Sequence, residues 1–156
     1  VKRRLAIMRH GKARAASEGG DHGRKLDARG RDEAARAAEA LAGRGFAPDL
    51  ILSSSADRAL ATATVCAERL GALERLWASR ALYLAPGEAL RAIIAKLPPE
   101  VVSVILVGHN PGLEELAEAL TGHELGLKTG ALLLLEFECD EWSGAGEETA
   151  LGAEMG

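Results

Sequence analysis

Two histidines each stand directly behind a short apolar run: Arg9-His10-Gly11 follows Leu5 to Met8, and Gly108-His109-Asn110 follows Val101 to Val107. A third polar cluster, Ser53 through Arg58, follows Leu50-Ile51-Leu52. A neutral imidazole can attack phosphorus and form a phosphoramidate, which splits one difficult displacement into two easier ones. The planar fork of arginine holds phosphate oxygens in pairs, where lysine acts as a point charge. Two imidazoles and two guanidiniums therefore suit a phosphoryl group. Arg9 and Arg58 would be its clamps, one histidine the nucleophile, and the other a donor to the charge that builds on the equatorial oxygens in the transition state. Gly11 would let the chain turn sharply and bring backbone N–H groups close to the ligand.

These clusters can cooperate only if the fold carries them to one place. Leu5 to Met8, Leu50 to Leu52, Val101 to Val107 and Ala131 to Phe137 read as buried strands, with a weaker extended segment over Leu76 to Tyr83 and a final weak strand over Thr149 to Met155. Between them the spacing predicts helices over Arg31 to Leu41, Asp57 to Leu70, Gly87 to Leu97 and Pro111 to Leu120. Ser53 to Ser55 are N-cap candidates for the second helix, and Asn110 for the fourth, with Pro111 as its first residue. Gly43, Gly45, Gly71 and Gly122 are stop signals, and Lys12 to Lys25 is a surface loop. Alternating strands and helices predict an α/β fold with a mostly parallel central sheet and helices on both faces. Such sheets collect ligands at the carboxyl ends of their strands, where all three clusters would meet. Helix N-termini there would add anion-binding backbone N–H groups.

At 156 residues the chain fits a single domain, residues 1–156. With 47% hydrophobic and 27% charged residues it reads as globular, and its net charge of -4 argues against nucleic acid as a partner. No apolar run approaches the roughly 20 residues that cross a bilayer, and Val1 to Leu5 lead into no signal-peptide core, so a cytoplasmic protein without membrane contact is expected. Cys66 and Cys139 are expected as buried free thiols. Neither cysteines nor histidines show paired ligand spacing, and the histidines beside Arg9 and the helix start would repel a cation, so no metal and no cofactor are expected. His123, after the helix-ending Gly122, reads as a C-terminal cation with no catalytic task.

Met8-Arg9-His10-Gly11, the block Ser53 through Thr62 with its Arg58, and Gly108-His109-Asn110 together resemble the histidine phosphatase superfamily, also called phosphoglycerate mutase-like. That resemblance places His10 as the phosphorylated histidine, with Arg9, Arg58 and His109 around the phosphoryl group. Asp21-His22 with Arg24 and Leu26 before Gly30, Leu82-Tyr83 before Pro86, and Thr129-Gly130-Ala131 resemble the SixA-type phosphohistidine phosphatases within it. The likeness spans about Leu5 to Phe137. Gly11, Arg24 and Asn110 become substrate-binding candidates, with Arg24 guiding the substrate. Ser55 departs from the family pattern, which usually has proline there.

A second departure concerns chemistry. Many ester phosphatases of this superfamily draw a carboxylate acid from an insertion that the short chain lacks, and Glu88 is the nearest candidate by order along the chain. An alkoxide needs such an acid, whereas the imidazole of phosphohistidine leaves readily once protonated at its free nitrogen. The resemblance thus implies removal of phosphate from phosphohistidine on a protein, such as a histidine phosphotransfer domain or a phosphocarrier. A small-molecule phosphomonoesterase and a non-catalytic phospho-ligand binding module are the competing expectations.

Overall fold

Residues 104–107 are buried on both sides, as an uninterrupted apolar run requires of a central strand. The computed structural model describes residues 1–15 and 17–156. Six strands, β1 (Lys2–Arg9), β2 (Leu50–Ser54), β3 (Leu76–Ser79), β4 (Ser103–Gly108), β5 (Leu132–Glu138) and β6 (Ala150–Met155), form one sheet in the order β3-β2-β4-β1-β5-β6. The first four strands of that order run parallel, and β5 and β6 join antiparallel to β1 and to each other. Helices α1 (Ala28–Gly43), α2 (Asp57–Arg69), α3 (Gly87–Ala95) and α4 (Gly112–Thr121) complete the chain.

The period-two alternation of the central strands divides the core. Leu5, Ile7, Val104 and Leu106 face one layer with Leu90 of α3 and Leu116 of α4, while Ala6, Met8, Ile105 and Val107 face the other with Ala38 of α1 and Ala63 of α2. Alanines fill the second layer where α1 and α2 pack on each other, and their small size lets the helices approach closely.

Register decides where the polar clusters end up. Arg9 pairs with Gly108 across β1 and β4, and Ser53 pairs with Val107 across β2 and β4. His10, His109 and the Ser53 to Arg58 segment therefore leave the sheet side by side.

Local signals were less faithful than strand signals. Helix α1 begins three residues before the expected Arg31, because the Asp27 carboxylate accepts from Gly30 N at 2.8 Å and starts the helix there. Helix α2 has Ala56 at its cap position with no side-chain bond, since the serines expected as caps are drawn elsewhere. Helix α4 has Pro111 at its cap position, and Asn110 turns its amide to the Leu127 carbonyl at 2.8 Å. The extended segment expected over Leu76 to Tyr83 stops at Ser79, whose hydroxyl accepts from Ala81 N and opens a short 3-10 turn over Arg80–Leu82. Gly122 closes α4 with φ of 78°, as expected of a glycine stop. Both cysteines are free, but only Cys66 is buried, and Cys139 is half-buried.

At the amino end of β1 the structure buries a cation. Arg3 is 1% exposed, and its guanidinium donates to the carbonyls of Cys139, Pro99, Val101 and Asp140. The Trp142 ring lies 5.6 Å from the guanidinium carbon.

Candidate active site

A cavity of about 290 Å³ opens at the carboxyl ends of the parallel strands, lined by Arg9, His10, Lys12, Ala13, Arg24, Arg58, Leu84, His109, Asn110 and Thr129. A larger hollow of about 490 Å³ beside Arg36, Lys128 and Met155 contains no histidine. Of the residues expected at the site, His10, Arg9, Arg58, His109, Arg24 and Asn110 meet in the smaller cavity. Glu88 does not. It is exposed on the first turn of α3, outside the lining, and no carboxylate is among the lining residues.

His10 follows the last residue of β1 and is nearly buried. Its Nδ1 lies 2.8 Å from the Gly11 carbonyl, which can only accept, so the proton sits on Nδ1 and Nε2 carries the free lone pair. Arg58 Nε donates toward that Nε2 at 3.4 Å. Burial pushes the His10 imidazole down to about 4, and the nearby Arg58 and Arg9 charges push in the same direction. The ring is neutral at physiological pH and its lone pair is available.

His109 follows β4 as its counterpart, with ring centroids 5.2 Å apart. Arg58 donates to its Nδ1 at 3.3 Å, so the other nitrogen, Nε2, carries hydrogen and donates to Ser54 Oγ at 2.7 Å. Burial, reinforced by Arg58, pushes His109 down to about 3. The serine run supplies this support rather than a helix cap: Ser54 serves His109 and the Ala56 N–H, and Ser55 Oγ meets His22 Nε2 at 2.8 Å.

Arg58, on the first turn of α2, is 3% exposed and needs a counter-charge. Asp21 provides it: Nη1 donates to the Asp21 carbonyl at 2.7 Å and Nη2 to its carboxylate at 3.0 Å. The Tyr83 hydroxyl also donates to that carboxylate, and together with Arg24 and Arg58 it holds the Asp21 carboxyl well below the usual range. Tyr83 in turn stands edge-on to His109, with centroids 5.6 Å apart. Arg24 reaches back to the Arg14 carbonyl at 2.7 Å and to Asp21 at 3.2 Å. The Arg9 side chain donates to the Leu127 carbonyl at 3.1 Å, and among the described residues its buried Nε has no partner.

Glycine is required at the base of the site. A Cβ on Gly11 would lie 2.4 Å from the Gly30 carbonyl oxygen, and one on Gly30 would lie 2.2 Å from the Lys12 carbonyl oxygen. Gly11 N donates to Thr62 Oγ1 at 3.0 Å, and that hydroxyl donates to the Arg58 carbonyl. The loop after His10 is thus clamped between the starts of α1 and α2.

Ser54 and Tyr83 act here in ways that residue spacing alone does not announce. Ser54 lies 55 positions from His109, and Tyr83 lies 62 from Asp21. Among the described residues no group of three or more His, Cys, Asp or Glu could hold a metal ion, and no helix is long and apolar enough to cross a membrane.

The histidine phosphatase superfamily (branch 1) matches residues 5–81. An uncharacterized chloroplastic protein of Arabidopsis thaliana is 32% identical over 155 residues, spanning 93% of this chain and 71% of its own. A candidate phosphohistidine phosphatase SixA from Agrobacterium tumefaciens is 35% identical, with a TM-score of 0.79 over 86% of this chain and 92% of its own. The protein histidine phosphatase SixA, solved with tungstate, is 25% identical and has a TM-score of 0.83 over 96% of this chain and 95% of its own. Agreement in sequence and in the whole course of the backbone makes this chain a phosphatase of the histidine phosphatase superfamily, with the phosphoglycerate mutase-like fold of SixA.

Proposed function

We propose that this phosphatase removes the phosphoryl group from phosphohistidine on a protein, through a covalent intermediate on His10. The observation that carries the reading is the tautomer of His10: a neutral ring with Nδ1–H on the Gly11 carbonyl and an Nε2 lone pair that meets only the long 3.4 Å approach of Arg58 Nε. Arg9, with an unpartnered buried Nε, and Arg58 hold the phosphoryl oxygens.

In the first step His10 Nε2 bonds to phosphorus as the substrate P–N bond breaks. The substrate ring, protonated at its free nitrogen, leaves as neutral imidazole, and the positive charge passes to the His10 ring, whose Nδ1–H remains on Gly11. Donor and acceptor are the same chemical group, so no carboxylic acid is needed, in keeping with a cavity lined by none. His109 shares a proton carried in on the phosphoryl group and steadies its oxygens. In the second step water bonds to phosphorus, the P–Nε2 bond breaks, both water protons leave on the phosphate, and His10 returns to its neutral form.

Incubation with labelled phosphohistidine protein is expected to give an acid-labile, base-stable phosphoenzyme that His10→Ala abolishes along with turnover. Faster wild-type turnover of a sugar phosphate than of phosphohistidine protein would overturn the substrate assignment. Label persisting in His10→Ala would overturn the nucleophile.

A further inference from the structure

Leu84 is costly where it stands, and the fold does not explain it. It is the one non-glycine among the described residues with positive φ, 51°, a conformation that disfavours a side chain with a Cβ. Its side chain is also 53% exposed, so burial does not offset that cost. The backbone is held there from both sides. Leu82 and Ala85 are buried, and the Ala85 carbonyl packs so closely on Gly112 that a Cβ there would lie 2.0 Å away. A glycine or asparagine at position 84 would relax the turn. Leucine instead places the one large apolar side chain in the lining of a cavity that, apart from the small Ala13, is made of cations, imidazoles and polar groups.

We propose that Leu84 is a specificity-determining residue that packs against the flat face of the ring bonded to the phosphoryl, the imidazole of a phosphohistidine side chain. The inference rests on the phosphohistidine reading for its natural ligand. Its physical content is wider, because Leu84 would favour any substrate with a ring next to phosphorus over one without. Arg9, Arg58 and the two histidines engage the phosphoryl group, which every substrate shares, so discrimination falls to the rim. Covering one large side chain on binding changes specificity by about tenfold.

The test compares wild type, Leu84→Asn and Leu84→Met on two substrate pairs: phosphohistidine protein against phosphoramidate, and phenyl phosphate against glycerol phosphate. Each pair is read as a ratio of kcat/KM. Leu84→Asn is expected to lower both ratios about tenfold, with a melting temperature at or above wild type because asparagine tolerates left-handed backbone. Leu84→Met is expected to keep both ratios within about twofold, the scale of a volume-conserving apolar exchange. Ratios unchanged in Leu84→Asn, an equal fall in Leu84→Met, or a fall accompanied by a lower melting temperature would each overturn the assignment. Wild-type preference for the esters would sink the phosphohistidine reading alone, since the ester pair still decides the role of Leu84.

Discussion

Strand β1 carries a buried arginine near its start and a half-buried one at its end, and the two have opposite surroundings. Arg3 donates to four backbone carbonyls and lies beside Trp142. Among the described residues the Arg9 side chain donates to the Leu127 carbonyl and its buried Nε finds no partner, while Arg58 beside it leans on Asp21. A buried cation with an acceptor for each guanidinium nitrogen is a staple between segments. One left short of acceptors is costly alone and becomes favourable when an anion arrives. The molecule uses the same residue type to close one end of its sheet and to prepare the other.

The contrast breaks most sharply under mutation. Arg58→Ala is expected to reduce turnover by about two to three powers of ten, the scale for removing a donor to transition-state charge. Arg9→Ala should behave likewise, and steady-state kinetics with less than a threefold fall for both would remove the clamp assignment. Arg3→Met should do the reverse, lowering stability by about 3 kcal/mol through four abandoned carbonyls while leaving kcat near wild type. Chemical denaturation checks the first half and kinetics the second, and a stability change below about 0.5 kcal/mol, ordinary for a surface substitution, would mean that Arg3 staples nothing.

A smaller effect should appear with pH. His10 at about 4 and His109 at about 3 are depressed in the folded protein, against about 6.5 in an unfolded chain. Between those values the unfolded chain binds more protons, so stability rises with pH and is lost as pH falls from about 6.5 toward 4. Each histidine contributes up to about 1.4 kcal/mol per pH unit in that window. Denaturation midpoints collected across it should keep this slope in Arg3→Met and lose part of it in His109→Gln. An unchanged slope in His109→Gln would show that His109 is not held neutral.

The sheet and the four residues at the centre of the site were legible because each depends on a run of neighbours. Val101 to Val107 announces a buried strand by continuity, and a polar pair directly behind it must emerge at the strand end. Caps were less legible because a serine or asparagine has several possible partners and the winner is often remote. Ser54 goes to His109 and Asn110 to Leu127, and neither choice can be seen within one helical turn. Glu88 was proposed from chain order, which carries no information on which way an exposed side chain faces. The burial of Arg3 has no local signal because its four acceptors come from distant segments.

The abutting pair Gly11 and Gly30 has a consequence for how such a protein can diversify. Backbone contact there, the hydrogen bond from Asp27 N to the Lys12 carbonyl, and the bridge between Ala13 and Leu26 pinch the intervening excursion shut at its neck. Beyond that neck Asp21 returns to pair with Arg58 and Arg24 lines the cavity, so a change of length at the Gly19-Gly20 tip spares the backbone of the nucleophile and acts on the clamp instead. Only the tip can serve as a handle for recognising new proteins, because Asp21 and Arg24 behind it keep the clamp in register.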